Sequence, residues 1–366
     1  MGLLRVYLAL SVLIVHNGKL FFGSDPILAV PDFFVISGFV IALVLNEKYR
    51  DNISGFYIAR YLRLWPTYAV VLSIVLLFFF TIQPVPHSPV ATIYVYLISI
   101  GLAFYDTLGW VGYSPVTDTV AFLDGVRSSG YYPSLAGRTP MPQMWSVGIE
   151  MTFYIVAPLL ARRWRSLAVV FVLALAAHIL IVLNFPHDHP VSTKSVFNSF
   201  YLFTGGMLAY WGWRASRQML DRYRLSPWPL ASAVAFLSLW GGGYLDRVHH
   251  LLPDVMLLGF ALAIIPLFHF SRSSKLDRQI GELSYAIYVM HVPLISFIFA
   301  GHYGSWRWTG IIALFTIVSS ILLQILVVHP IEKLRARFTA TTPKSRLVAV
   351  PLIAPGPAKE PAAAKA

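Results

Sequence analysis

The chain contains no cysteine, which excludes disulfides, thiolate metal sites and cysteine nucleophiles at once. Charge is also scarce. Asp, Glu, Lys and Arg make up 12% of the 366 residues, against about 25% in ordinary globular domains. The scarcer sign is negative, with 16 acidic residues against 28 Lys and Arg and a net charge of +12. In a chain that is 57% hydrophobic, with a mean hydropathy of +0.67, this balance describes a polytopic membrane protein. The positive excess then reads as Lys and Arg in cytoplasmic loops, and no nucleic-acid partner is expected. The first apolar stretch, Leu3 to Phe22, opens like a signal sequence, but no small-x-small cleavage site follows it. It is expected to stay as a first span.

Eleven apolar runs are present, at about 3–22, 28–45, 66–82, 90–108, 144–160, 166–184, 198–213, 228–245, 251–270, 280–300 and 309–329. Five basic clusters punctuate them, around Lys48–Arg63, Arg162–Arg165, Arg214–Arg224, Arg272–Arg278 and Lys333–Arg337. Placing all five in the cytoplasm works for every run except those between Pro66 and Leu160, where three runs must make two crossings. The expected fold is therefore an all-α transmembrane bundle of about ten crossings with both termini cytoplasmic. One run, 90–108 or part of the loop after it, is expected to be re-entrant or interfacial. Residues 1–339 form the membrane domain, and the Pro-, Ala- and Lys-rich tail at 340–366 is expected to be disordered.

Polar groups inside a bilayer are costly and usually face a protein interior or a wet cavity. Arg5 and His16 both lie in the first run. Eleven residues rotate a helix by about three turns plus roughly 20°, which puts the two on one face roughly 16 Å apart along the axis. Arg60 and Arg63, at i and i+3 where a basic loop enters a span, are suited to grip phosphates bidentately. Glu150 stands in apolar sequence with Tyr154 one turn on, and Ser284, Tyr288 and His291 make a polar stripe at i, i+4 and i+7. Lipid anchoring for the arginines and interhelical hydrogen bonding for the others are the bland alternatives. His87, His187, His189, His249 and His250 fall in expected outer loops without metal-ligand spacing, so no metal is expected.

Taken together, these residues resemble the membrane acyltransferase-3 family, of the polysaccharide O-acyltransferase type. The resemblance runs from about Arg5 to Arg337. It rests on Arg5 and His16, on Phe33-Phe34-Val-Ile-Ser37-Gly38-Phe39, and on Arg60 and Arg63 before Pro66 and Tyr68. Further elements are Trp145-Ser146 with Glu150, Phe153 and Tyr154, then Ser284-Tyr285 with Tyr288 and His291, and finally Glu332. There are departures. The family's acidic residue two places before the Phe-Phe pair is Pro31 here, and Asp32 is rotated away by one position. Gly148 stands where Ser is common, and Leu334 replaces a frequent Pro. The chain is expected to be a stand-alone form without a fused esterase-like domain.

The resemblance implies transfer of an acyl group, commonly acetyl, from cytoplasmic acyl-CoA to a hydroxyl of a cell-surface glycan, lipid-linked sugar or other small acceptor. The setting it implies is the bacterial cytoplasmic (inner) membrane. No bound cofactor is implied, since acyl-CoA is a co-substrate. Arg5, Arg60 and Arg63 are the expected donor-binding residues. His16 is the expected base or acyl carrier, with Glu150 as its catalytic companion. Tyr154, Ser284, Tyr288 and His291 form an acceptor-binding or structural polar network. Glu150 or His291 is expected to orient His16 or bind the acceptor. The competing classes are a transporter, for which no internal repeat speaks, and a non-catalytic scaffold in glycan assembly.

Overall fold

A computed structural model describes residues 1–19, 28–78, 88–114, 117, 119–122, 134–185, 189–223, 226–246 and 252–339. The chain runs α1 (Gly2–His16), α2 (Ala29–Glu47), α3 (Ile53–Phe78), α4 (Pro89–Gly101), α5 (Thr107–Trp110), β1 (Val111–Ser114), β2 (Thr119–Phe122) and α6 (Trp145–Leu160). It continues with α7 (Trp164–Asn184), α8 (Pro190–Thr193), α9 (Val196–Leu220), α10 (Pro227–Asp246), α11 (Leu252–Ser271), α12 (Lys275–Pro293), α13 (Trp306–Leu323) and α14 (His329–Thr339). The helical bundle is as expected. The small antiparallel hairpin of β1 and β2 is not, because the long loop at 109–143 carries no sustained alternation. The outer-loop histidines His87, His187, His249 and His250 and the tail at 340–366 lie outside the described residues.

Among the described residues, six segments are long and apolar enough to cross a bilayer: Ala29–Glu47, Ile53–Phe78, Trp164–Asn184, Pro253–Ser271, Lys275–Ile298 and Trp306–Arg335. Gly2–His16, Pro89–Gly101 and Trp228–Ser238 are shorter apolar helices. The first span is thus shorter than the run 3–22. Asn17 and Gly18 stop it: Gly18 takes φ +72°, its N–H bonds Val15 O at 2.8 Å, and Lys19 N bonds Ile14 O at 3.2 Å. That paired hydrogen-bond pattern closes a helix on a left-handed glycine. It makes His16 the last helical residue.

The third span also differs. A loop was expected before Pro66, but α3 starts at Ile53, where the Asn52 side chain accepts the Gly55 N–H at 2.7 Å, and runs through Pro66 to Phe78. Proline removes one helical donor and disturbs the preceding turn. Tyr285 steadies that turn by donating its hydroxyl to Leu64 O at 2.8 Å. Arg60 and Arg63 therefore sit inside a helix and not at its mouth.

In the disputed region α4 has 13 residues, a length of roughly 20 Å against the 30 Å of a hydrocarbon core. Leu102 and Phe104 then adopt φ of 68° and 61°, a conformation that side chains with a Cβ rarely take. The turn is held because Leu102 is fully buried and Phe104 N donates to Thr152 Oγ1 at 3.0 Å.

Close packing brings the polar helices together. A Cβ on Gly38 would meet Phe203 O of α9 at 2.0 Å, and one on Gly206 would meet Val35 O of α2 at 2.0 Å. Backbone approach through small residues is how helices associate where water gives no hydrophobic drive. The first residues of α1 dock on α12 in the same way. Asp277 accepts the backbone N–H of Gly2 at 2.8 Å and of Leu3 at 3.0 Å, which satisfies donors left over at a helix start. Helix α7, by contrast, buries only Leu167, Ala174 and His178 and leaves an apolar exterior.

Candidate active site

The helices line an open cavity with about 740 Å³ of empty space, its mouth included. Four helices bring to it most of the residues singled out in the sequence: Arg5 of α1, Arg60 and Arg63 of α3, Glu150 and Tyr154 of α6, and Ser284 and Tyr288 of α12. A fifth helix, α2, adds Ser37, which stood in the second-span motif without an assigned role. His16 and His291 do not line it.

Among the described residues, three guanidiniums share this cavity with one carboxylate. Arg5 feels the charges of Arg63, Glu150 and Arg60. Arg60 is buried, its guanidinium lies 5.8 Å from the Phe56 ring and 5.9 Å from the Tyr154 ring, and its Nε has no hydrogen-bond partner. Glu150 is engaged otherwise: the hydroxyls of Ser37 and Tyr154 both donate to its Oε1. No hydrogen bond runs from Glu150 to His16 among the described residues, which leaves His291 as the candidate of the two that lies beside His16. A buried donor without an acceptor is costly, and an anion in the cavity would relieve that cost.

Ring contacts on α12 connect the cavity lining to His16. Tyr288 lines the cavity. Its hydroxyl donates to Gln143 O at 3.0 Å and accepts from Ser146 at 2.7 Å. The Tyr288 ring lies 5.3 Å from that of His291, and His291 lies 5.0 Å from His16, edge to face. The stripe predicted on α12 is thus real, but its ends do different things: Ser284 and Tyr288 face the cavity and His291 faces His16. His291, not Glu150, is the neighbour of His16.

Both imidazoles have defined tautomers when neutral. His16 Nδ1 lies 2.9 Å from Val12 O, and a carbonyl only accepts, so Nδ1 carries the proton and Nε2 keeps its lone pair. His291 Nδ1 likewise donates to Tyr288 O at 2.6 Å, and its buried Nε2 has no partner. His16 is exposed where His291 is buried. The arrangement offers an accessible nitrogen base at one end and an arginine-lined cavity at the other.

Two departures from the family pattern have local explanations. A Cβ on Gly148 would meet Tyr105 Cβ at 2.5 Å and Leu102 O at 2.9 Å, so the tight turn after α4 leaves no room for Ser. With Leu334 in place of Pro, α14 runs on as a helix to Thr339. Asp32 is fully buried, accepts from Ser238 Oγ at 2.6 Å, and does not line the cavity.

Comparison with known proteins places the whole chain. Residues 1–329 match the acyltransferase-3 family, described as an acyltransferase domain. The chain is similar to nodulation protein 10 of Rhizobium leguminosarum bv. viciae, with 24% identity over 92% of this chain and 94% of that protein. It is also similar to protein 2 in the picA locus of Rhizobium radiobacter, with 41% identity over 19% of this chain and 40% of the relative. An uncharacterized protein of Haemophilus influenzae is 23% identical over 41% of this chain and 57% of its own length. No solved structure gives a significant match. With the family pattern spread over α1, α2, α3, α6 and α12 and gathered around one cavity, the chain belongs to the acyltransferase-3 family and is a membrane acyltransferase.

Proposed function

We propose that this protein is an O-acyltransferase that moves an acyl group, with acetyl as the expected case, from cytoplasmic acyl-CoA to a hydroxyl of a cell-surface glycan, lipid-linked sugar or other small acceptor. One observation carries the reading. Arg5, Arg60 and Arg63, from helices far apart in sequence, converge on a cavity whose lining includes one carboxylate, Glu150. Guanidiniums grip phosphates with two parallel hydrogen bonds, and CoA is a polyphosphate. No bound cofactor is needed.

The residues then divide the work. The arginines hold the anionic part of the donor, and Glu150, fixed by Ser37 and Tyr154, keeps their mutual repulsion in check. The thioester reaches past Tyr288 toward the two imidazoles. His16 Nε2 takes the proton of the acceptor hydroxyl as its oxygen attacks the thioester carbonyl. The C–S bond breaks, and the departing thiolate recovers that proton from the imidazolium.

The accompanying topology is ten crossings in the bacterial inner membrane with both termini cytoplasmic, supported by the five basic clusters on alternate ends of the runs. The shortness of α4 supports it as the run that does not cross. Release of CoA from acetyl-CoA by the purified protein, with no ion gradient present, tests the reading against a transporter. Mass spectrometry of surface glycans from deletion and wild-type cells identifies the acceptor. Unchanged glycans together with no CoA release would remove the proposal.

A further inference from the structure

Next to the two imidazoles lies a residue that no sequence pattern singled out. Gln143 sits in the short turn Pro142–Met144 that leads into α6, and it is buried. Its backbone carbonyl accepts the hydroxyl of Tyr288, a residue of the cavity lining, at 3.0 Å. Its side chain reaches the following residue of α12, with Nε2 3.3 Å from Val289 O.

The side-chain bond has a cause in the sequence. In an α-helix Val289 O would accept from the N–H four residues on, but that residue is Pro293, which has none. Gln143 Nε2 takes the vacant place. A carbonyl only accepts, so the atom at Val289 O is the amide nitrogen and Oε1 is the other arm. That oxygen is buried and has no hydrogen-bond partner among the described residues. His291 repeats the pattern one carbonyl earlier: its Nδ1 is bound to Tyr288 O, and its buried Nε2 has no partner. Two side chains anchored on successive carbonyls of one helix thus each keep a buried acceptor without a donor, and the ring of one lies 5.0 Å from that of His16.

This deficit is the opposite of the one in the cavity, where Arg60 Nε is a buried donor without an acceptor. Unmet donors suit a phosphate, whereas unmet acceptors suit a group that brings O–H hydrogens. We propose that Gln143 is a specificity-determining residue for the acyl acceptor. Its Oε1 accepts a hydrogen bond from a hydroxyl adjacent to the one being acylated, and His291 Nε2 is the second acceptor of the same subsite. The inference rests on the O-acyltransfer reading above. Gln143 does not line the arginine cavity, so it acts on the choice of acceptor and not on donor binding.

The test starts from the sugar on which mass spectrometry of surface glycans finds the ester. Its methyl glycoside is compared with the same glycoside carrying hydrogen in place of one hydroxyl adjacent to the ester position. Acetyl transfer from acetyl-CoA is followed with the full-length protein in nanodiscs. The wild type is expected to lose roughly tenfold or more in kcat/KM on one of the deoxy glycosides, because a buried acceptor is then left unpaired. Gln143→Met should narrow that preference to within about twofold while leaving acetyl-CoA affinity within about twofold of wild type. Gln143→Glu keeps an oxygen for the hydroxyl but cannot donate to Val289 O, so it should restore part of the preference. If Gln143 only braces α12, Glu would behave as Met does, and the proposal is overturned. It is also overturned if the wild type accepts every deoxy glycoside equally well, if Gln143→Met discriminates fully, or if the ester is found on a hydroxyl with no neighbouring hydroxyl. Transfer to no glycoside from a protein whose cells carry the ester overturns it too, since this subsite needs only the sugar ring. Absence of both the ester in cells and CoA release is a different result, and it removes the O-acyltransfer reading itself.

Discussion

Two polar clusters lie between the apolar helices of this bundle, and they are built in opposite ways. Around His178 the accounts close. Its Nε2 lies 2.9 Å from Asp254 Oδ2 and its Nδ1 lies 2.8 Å from Asn198 Oδ1, while Tyr201 donates to the other oxygen of Asp254. The Asn198 amide nitrogen is committed to Ser192 O at 2.5 Å, so its oxygen accepts and both imidazole nitrogens must donate. The result is an imidazolium paired with a carboxylate, with no net charge. Around the large cavity three guanidiniums share the lining with one carboxylate, Glu150, among the described residues, and Arg60 Nε is left without a partner. A cluster complete in itself fastens α7, α9 and α11 together. A cluster that is not complete is where the proposed function puts its ligand.

The largest effect that would sharpen this contrast comes from the closed cluster. Asp254→Ala strands a buried imidazolium, and breaking a buried pair from one side costs about 3–5 kcal/mol. The thermal midpoint in detergent should fall steeply, while the molecules that stay folded should transfer acyl groups at the wild-type rate. A stable but inactive variant would make this cluster a ligand site and dissolve the distinction. Next in size is His16. His16→Gln or His16→Ala should reach the membrane at normal levels with activity lower by roughly 100-fold or more, the lower range for a lost acid–base group. Normal turnover at normal expression would move the base elsewhere.

The open cluster predicts the reverse of the Asp254 result. Arg60→Lys and Arg63→Lys keep the charge but lose the two-pronged contact, so acyl-CoA affinity should drop by about 1.5–3 kcal/mol, roughly ten- to 150-fold. Thermal stability without ligand should hold or rise, because less unpartnered polar surface is buried. Affinities within about twofold of wild type for both would reduce these arginines to lipid anchors.

The smallest effect lies outside both clusters, in the turn between α4 and α5. Asp106 is fully buried there and accepts from Val196 N at 3.1 Å. Burial pushes its carboxyl up to about 6 from an ordinary value near 3.8, and the backbone hydrogen bond only partly offsets this. The folded state therefore binds the proton more tightly than the unfolded state. Stability should be greatest at acid pH, fall by about 1–3 kcal/mol as pH rises from about 4 to 6, and level off above that. Asp106→Asn keeps an oxygen for Val196 and should flatten the profile. Thermal midpoints measured between pH 4 and 7 decide it, and a slope that survives in the variant belongs to another group.

Much of the site was legible because membrane sequence is a quiet background. Arg5, Arg60, Arg63 and Glu150 stand out among apolar neighbours, and helical spacing alone put Tyr154 over Glu150 and Tyr288 one turn from Ser284. The end of the first helix was legible too, since Asn17-Gly18 is a stop signal, but the apolar residues after it obscured the stop. Proline at 66 misled in the other direction: it suggested a boundary in a helix that Asn52 had already begun. Ser37 carried no signal of its own, because a small hydroxyl in an apolar span is ordinary until a carboxylate is found beside it.

What the sequence determined alone was the class of molecule and the identity of its costly residues, because hydropathy, charge bias and helical period are local properties. Which of those residues meet was decided by tertiary packing. Arg5 and His16 share one helix, yet only the docking of α1 on α12 brings Arg5 to the cavity and sets His16 against His291. Glu150 and His16 looked like partners in one dimension. In three, Glu150 shares a cavity lining with the arginines, because the close approach of the turn after α4 to Gly148 and its hydrogen bonds from Ser37 and Tyr154 seat α6 against the cavity wall. A pairing between helices depends on how closely two backbones can approach, and that distance is set by partners scattered along the whole chain.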